Sequence, residues 1–278
     1  MKVLKYHLYF LSILLLSSCE EVIELDLPEA DKRLVVDSWL HNLSDMQTVK
    51  LRLTGPYFDN TATPAVEGAL VTVFEDNGNE YKFLEEEPGV YRASFVPQVA
   101  NSYTLEIITS DGVEYISKAE RMNPVPALED IYFEYKPKAL FEEEGYYVFI
   151  GLMDPAGIKN FYRWKYYVNG VLQNSPDYFV IQNDDLIDGA DLFDIQFNFE
   201  PLEVGDHVRI EQYALSENAF DFLSILREQV TSGRGTFDAP PAPIRGNIIN
   251  KNNPDENVLG YFGISDIDFQ EITIEEFE

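Results

Sequence analysis

The chain has 278 residues, of which 49 are Asp or Glu and 20 are Lys or Arg, so its formal charge is −29. Phosphate backbones repel such a polyanion, so this composition excludes nucleic-acid binding through a basic surface. The single cysteine excludes an internal disulfide and a cysteine-rich metal site, while an apolar fraction of 45% is enough for a globular core.

The first 18 residues predict a lipoprotein signal peptide. Lys2 and Lys5 form a short basic region, and a mostly apolar run follows over 8–16. This run is too short to span a bilayer core of roughly 30 Å. It ends in Leu16-Ser17-Ser18-Cys19, which resembles the lipobox of bacterial lipoproteins. We therefore expect lipidation at Cys19; an ordinary cleaved signal that happens to end in Cys is the alternative.

Residues 19–32 form a lipidated acidic tether in this interpretation. Glu20 and Glu21 directly follow the anchoring cysteine. Acidic residues at this place resemble the export signal that sends Bacteroidota lipoproteins to the outer leaflet of the outer membrane. The pattern predicts a lipid-anchored protein of the outer membrane that faces the cell exterior. A solvated acidic linker with no sorting role is the alternative.

Residues 33–123 predict an immunoglobulin-like β-sandwich. In 48–53, strict alternation places Val49, Leu51 and Leu53 on one face. Asn77-Gly78 supplies the positive φ of a tight hairpin. The predicted strands are 34–40, 48–53, 69–74, 80–84, 89–95, 102–108 and 113–116. Some seven short strands without a helical period are typical of such a sandwich.

The alternate prolines in 122–126 predict a domain boundary, because they disfavour both helix and internal strand. Residues 124–278 then form a second β-sandwich-like domain with longer strands over 131–135, 145–153 and 161–168. One amphipathic helix is predicted over about 217–230, with Ser216 as its N-cap and Gly233 as its stop. The predicted fold is mainly β, with one helix in the second domain.

The strand over 161–168 carries the candidate binding residues. Tyr162, Trp164 and Tyr166 fall on one of its faces, and Arg163 and Lys165 fall on the other. Aromatic residues are enriched at binding hot spots, so the first three are candidates for a contact surface. Core packing of the same three residues is the competing interpretation, and the one that we favour.

The densest acidic cluster is a candidate calcium site. Its ligands would be Asp184, Asp185, Asp188 and Asp191, because calcium takes oxygen ligands from flexible loops. The EF-hand pattern fails: with Gly189 at its sixth position, apolar residues fall at the third and twelfth. A solvated acidic loop is the favoured alternative.

The inventory for catalysis is poor. Lipidation would block the only cysteine, and the mature chain keeps only His41 and His207 as histidine bases. The sequence has no Gly-x-Ser-x-Gly nucleophile motif. We therefore expect a protein that is not an enzyme and has no catalytic residues.

Several segments together resemble one family of Bacteroidota outer-membrane lipoproteins, known as domain of unknown function 4249. They are Cys19-Glu20-Glu21, Leu27-Pro28-Glu29 leading into 33–36, and the segments 68–73, 89–91, 246–248 and 259–262. Members of this family tend to be encoded beside TonB-dependent outer-membrane receptors. The resemblance thus implies an accessory lipoprotein near such a receptor, and it brings no catalytic residues.

Two functions are compatible with these observations. The first is a surface-exposed outer-membrane lipoprotein that acts as an accessory or ligand-binding partner of a TonB-dependent receptor. The alternative is an adhesin or glycan-binding module that uses exposed aromatic residues. A hydrolase that uses carboxylates has no motif to support it.

Overall fold

The computed structural model describes residues 32–55, 63–140, 143–231 and 244–276. The described residues belong to one compact unit, whose regular structure is β-strand apart from one α-helix and one short 3₁₀ turn. The prediction of a mainly β fold with one helix is confirmed; the immunoglobulin-like topology stays a prediction. Within this described part, no helix is both long and apolar enough to cross a membrane. Cys19, Glu20 and Glu21 lie outside the described residues.

The strands and the helix are numbered in chain order. They are β1 (Leu34–His41), β2 (Met46–Leu53), β3 (Leu70–Glu75), β4 (Glu80–Glu87), β5 (Val90–Ser94), β6 (Ser102–Ile108), β7 (Glu114–Ser117), β8 (Glu120–Arg121), β9 (Leu128–Lys136), β10 (Gly145–Met153), β11 (Phe161–Val168), β12 (Val171–Leu172), β13 (Val180–Asn183), β14 (Asp191–Gln196), β15 (His207–Ala214), α1 (Glu217–Thr231), β16 (Ile248–Asn250), β17 (Leu259–Ser265) and β18 (Ile267–Thr273). The 3₁₀ turn spans Pro176–Tyr178.

The first sheet has ten strands in the order β16-β7-β6-β3-β4-β5-β2-β1-β17, with β8 beside β6. β4 pairs with β3 over its first half and with β5 over its second half. Residues from strands on both sides of β4, such as Leu51 of β2 and Leu105 of β6, are fully buried in one hydrophobic core. The sheet therefore forms two layers that share β4. The predicted hairpin at Asn77-Gly78 joins β3 to β4, and Gly78 has a φ of +96°.

The domain boundary predicted at residue 124 does not divide the strands into two sets, because strands after it pair with strands before it. β17 pairs in parallel with β1, and β16 pairs antiparallel with β7, so two late strands complete the first sheet. The physical reason is that Ile248, Phe262 and Ile264 are apolar and become buried in the first core when β16 and β17 pair there. The expectation that all of 124–278 forms the second domain is corrected accordingly.

The second sandwich consists of a three-stranded sheet, β14-β10-β9, and a five-stranded sheet, β12-β11-β15-β18 with β13 beside β11. Val148 and Ile150 of the three-stranded sheet and Val208 and Ile210 of the five-stranded sheet are buried in their common core. The proline-containing linker is bound to this sandwich, because the Val125 amide donates to Asp266 Oδ2 at 2.9 Å.

The helix α1 covers the opposite face of the β11 sheet. It begins after Ser216, whose Oγ accepts the Ala219 amide at 3.0 Å, as predicted for the N-cap. Ala219 and Leu223 are buried in a third core that also contains Tyr261 of β17. The helix thus packs where β17 of the first sandwich meets the second sandwich.

Candidate functional site

Two loops at one end of the second sandwich bring three carboxylates together. One loop joins β10 to β11 and contains Asp154; the other joins β13 to β14 and contains Asp184 and Asp188. Each of the three offers one carboxylate oxygen, and these oxygens lie within 4.8 Å of one another. Asp154 and Asp184 are buried, with exposed fractions of 2% and 3%, and Asp188 is exposed. We call these residues the three-aspartate cluster.

Backbone and hydroxyl donors hold each carboxylate in place. Asp154 accepts the Tyr162 hydroxyl and, at 3.1 Å, the Gly189 amide. Asp184 accepts the Asn160 amide at 2.6 Å. Asp188 accepts the Gly157 amide, also at 2.6 Å, which ties the second loop to the first. The cluster is therefore positioned before any ligand arrives.

The close approach of the two loops depends on a glycine. Gly189 has a φ of +69°, and a Cβ added there would lie 2.8 Å from Ala156 Cβ. An L side chain would be strained in this conformation and would also push the loops apart. The sequence feature that suggested a metal-binding loop, a glycine among aspartates, thus has a packing role.

The cluster has the chemistry of a cation site. Three carboxylates close together repel one another, and burial of two of them increases this cost. A calcium ion would offset the repulsion, because it is a hard cation that takes 6–8 oxygen ligands. The three aspartates would supply up to half of these ligands, and backbone carbonyls or water would supply the others. Calcium binding at this place is a prediction.

The structure brings together two of the four predicted calcium ligands. Asp184 and Asp188 belong to the three-aspartate cluster, whereas Asp185 accepts Asn183 Nδ2 and Asp191 begins β14 opposite Met153. The prediction of Asp185 and Asp191 as ligands is therefore corrected, because neither residue belongs to the cluster. Asp154 was missed by sequence reasoning, because its partners lie far away in the chain. The available signal was a carboxylate directly after a long apolar strand.

The aromatic residues predicted as a contact surface are buried. Tyr162, Trp164 and Tyr166 have exposed fractions of 1%, 7% and 2% and belong to the core of the second sandwich. Trp164 Nε1 donates to Gln212 Oε1 at 2.9 Å, so the buried indole N–H has a hydrogen-bond partner within the protein. The favoured interpretation, core packing, is therefore confirmed for these three residues, and the candidate contact surface is corrected, because the facing β14-β10-β9 sheet covers this side of β11.

The two candidate histidine bases lie in different surroundings. His207 begins β15, is exposed, and its amide donates to Asn169 Oδ1. His41 ends β1; burial and, secondarily, the charge of Lys165 lower the pKa of its imidazole. Its Nδ1 atom is buried and has no hydrogen-bond partner within the described residues. The expectation that neither histidine is catalytic stays a prediction.

A shallow groove of about 450 Å³ lies between α1 and β13. Its walls include apolar Ile181 and Phe220 and the neighbouring charged residues Arg227 and Glu228. One cation and one anion side by side give the groove no net preference for a charged ligand. We assign no ligand to it.

Comparisons with known proteins give a family for the chain. No curated protein matches it. The family model described as Domain of unknown function (DUF4249) matches residues 20–271. This range contains the helix, the three-aspartate cluster and every strand of both sandwiches except the last two residues of β18. Because the match spans far more than half of the 278 residues, the chain belongs to the DUF4249 family.

Proposed function

We propose that this protein is a non-enzymatic lipoprotein of the outer membrane that faces the cell exterior and works with a TonB-dependent receptor. It would act as an accessory or ligand-binding partner of that receptor. The observation that carries the proposal is the sequence Leu16-Ser17-Ser18-Cys19, followed at once by Glu20 and Glu21. Lipidation at this cysteine would anchor the body to a membrane.

The family match supports a division between anchor and body. It begins at residue 20, directly after the proposed lipidation site, so the proposed signal peptide lies outside the matched range. Removal of residues 1–18 deletes Lys2 and Lys5 and no acidic residue, which changes the formal charge from −29 to −31. A strongly acidic surface favours solubility and discourages non-specific contacts, as suits an extracytoplasmic body.

The receptor partnership is supported by family resemblance, since members tend to be encoded beside TonB-dependent receptors. We test it by purifying the full-length protein from its native membrane in mild detergent. Recovery of a large β-barrel receptor is the expected result. Recovery of the lipoprotein alone would contradict the partnership.

Anchoring and surface exposure are tested separately. The Cys19→Ala variant should leave the membrane fraction, and protease treatment of whole cells should remove the wild-type body. Replacement of Glu20 and Glu21 by Ala should protect the body from protease without releasing it from the membrane. A protease-resistant wild-type protein in intact cells would rule out the outward-facing location.

The alternative function, an adhesin or glycan-binding module, is not supported by the three aromatic residues predicted as its contact surface. It needed Tyr162, Trp164 and Tyr166 as an exposed contact surface, and all three are buried.

A further inference from the structure

The face of β11 turned away from the second core carries two cations. Arg163 and Lys165 alternate with the buried aromatic residues and point to the side where β1 of the first sandwich lies. Both side chains are partly buried and keep some contact with solvent. In the backbone register of β11 and β15, Lys165 lies opposite Glu211, and Arg163 lies opposite Tyr213.

Aromatic rings hold the two cations in place. The Arg163 guanidinium lies 5.9 Å from the Trp39 ring centroid and 5.3 Å from that of Phe179. Lys165 Nζ lies 4.4 Å from the centroid of the Tyr213 ring. These contacts involve ring faces, which attract a cation but accept no strong hydrogen bond. These ring contacts thus position both side chains without providing an acceptor for their N–H groups.

The described residues supply neither cation with a hydrogen-bond acceptor or an ion-pair partner. Arg209, on the same face, is different: it reaches Glu211 at 2.9 Å and Glu271 at 2.8 Å. In a chain with 49 acidic and 20 basic residues, two adjacent cations without carboxylate partners are unexpected. An arginine has five N–H donors and a lysine has three, so many donors remain free.

The nearby carboxylates are already engaged. Glu211 accepts Arg209 Nε at Oε1 and the hydroxyls of Tyr167 and Tyr213 at Oε2, so both of its oxygens already accept hydrogen bonds from other residues. Asp37 of β1 is exposed, and its Oδ2 forms an ion pair with Lys50 Nζ at 3.8 Å. Burial and, secondarily, the charge of Arg163 lower the pKa of Lys165 to about 8. The charges of Glu211 and Asp37 oppose this lowering of the Lys165 pKa, but among the described residues no carboxylate forms an ion pair with Lys165 or Arg163.

We propose that Arg163 and Lys165 form a binding site for a compact oxyanion, the phosphate or carboxylate group of a small ligand. The planar guanidinium matches the two oxygens of such a group, and the ammonium adds a second charge. The Trp39 and Tyr213 rings border the site. The site does not depend on the proposed membrane location or receptor.

The first experiment maps binding on the wild-type full-length chain in detergent. Inorganic phosphate and citrate are titrated separately at constant ionic strength, with chloride as the reference anion, and the backbone amide resonances are followed. At least one probe should saturate in the millimolar range or tighter and shift the resonances of 37–41 and 163–167. No saturation with either probe, or shifts confined to other regions, would overturn the proposal. Comparison of the two probes tells phosphate from carboxylate.

The second experiment removes one cation at a time. Arg163→Gln and Lys165→Gln should each weaken the affinity for the saturating probe by about tenfold or more. Lys251→Gln is the matched control, because it removes the same charge from an exposed lysine that directly follows β16 and already forms ion pairs with Glu106 and Glu114. Equal affinity in all folded variants would overturn the proposal. If a variant does not fold, the resonance map of the wild-type chain decides the question.

Discussion

Asn247 and Phe262 are joined by a reciprocal pair of hydrogen bonds. Asn247 Nδ2 donates to the Phe262 carbonyl at 2.8 Å, and the Phe262 amide donates to Asn247 Oδ1 at 3.0 Å. Both residues are buried. Asn247 directly precedes β16 and Phe262 lies in β17, which are the two end strands of the ten-stranded sheet. One side-chain amide thus links the two edges of the first sandwich.

Replacement of Asn247 by Ala should destabilise the protein by about 2–4 kcal/mol, because it leaves the buried N–H and C=O of Phe262 without partners. Urea unfolding measures this change. Asn253→Ala is the control, since that side chain is exposed in the following loop, and it should change stability by less than about 0.5 kcal/mol. Equal effects of the two substitutions would show that the amide link contributes nothing.

Gly260 allows β17 to lie against β1. Its φ is +84°, and a Cβ added there would lie 1.9 Å from the Val36 carbonyl oxygen. Gly112 has nearly the same φ, +87°, but an added Cβ would meet nothing within 4 Å. The two glycines therefore separate the cost of the conformation from the cost of the clash.

Gly112→Ala should cost about 1–2 kcal/mol, the penalty of an L residue in the left-handed region. Gly260→Ala should cost that amount plus roughly 2 kcal/mol or more, because the β1–β17 pairing must open. Thermal unfolding of the two variants measures the difference. Equal melting temperatures would mean that β17 moves away from β1 at no cost.

Local signals predicted the hairpin at Asn77-Gly78 and the helix after Ser216, because turn and capping chemistry act over a few residues. The parallel pairing of β17 with β1 was not predictable, since nothing in one strand identifies a distant partner. The same limit hid Asp154 from the predicted calcium ligands. The period of two in β11 divided its residues correctly between two faces, but periodicity alone does not say which face is buried.

Tyr162 and Tyr166 are buried neighbours whose hydroxyls differ. The Tyr162 hydroxyl donates to Asp154, whereas the Tyr166 hydroxyl has no hydrogen-bond partner among the described residues. Tyr162→Phe should therefore cost about 1–3 kcal/mol, because a buried carboxylate loses a donor. Tyr166→Phe should leave stability unchanged or raise it by about 1 kcal/mol. Denaturant midpoints measure both; a large loss in Tyr166→Phe would reveal a partner for that hydroxyl.

The three-aspartate cluster predicts stabilisation by calcium. A calcium concentration about 100 times the dissociation constant would add about 2.7 kcal/mol to the free energy of unfolding. Asp188→Asn should abolish this gain, and because it removes one of three clustered charges it should raise the stability of the calcium-free protein. Melting curves in CaCl₂ and in EGTA measure both effects.

Asp185→Asn is the matched control for the calcium experiment. It removes the same charge from the same loop, outside the cluster, and should keep the calcium response. Magnesium should act more weakly, because it demands a stricter octahedral geometry. A wild-type melting temperature that is the same in CaCl₂ and EGTA would show that the aspartates hold no calcium.

Glu75 predicts a loss of stability in acid. Burial alone would raise the pKa of its carboxyl, but hydrogen bonds from Asn101, Asn79, Tyr103 and Tyr81 outweigh burial and lower this pKa to about 2. Because the folded pKa lies below the unfolded value of about 4.5, the carboxylate contributes stability above pH 4.5. This contribution should decline as the pH falls from about 4.5 towards 2.

Glu75→Gln tests this pH dependence. The variant should be less stable than the wild type at pH 6, because the amide NH₂ group would face hydrogen-bond donors at one of the two oxygen positions. The difference should shrink between about pH 4.5 and pH 2, as the wild-type carboxylate becomes protonated. Glu80→Gln, which changes an exposed residue of the same hairpin, is the control and should change stability by less than about 0.5 kcal/mol at pH 6. A Glu75→Gln difference that stays constant with pH would mean that the four donors do not hold a carboxylate in the folded state.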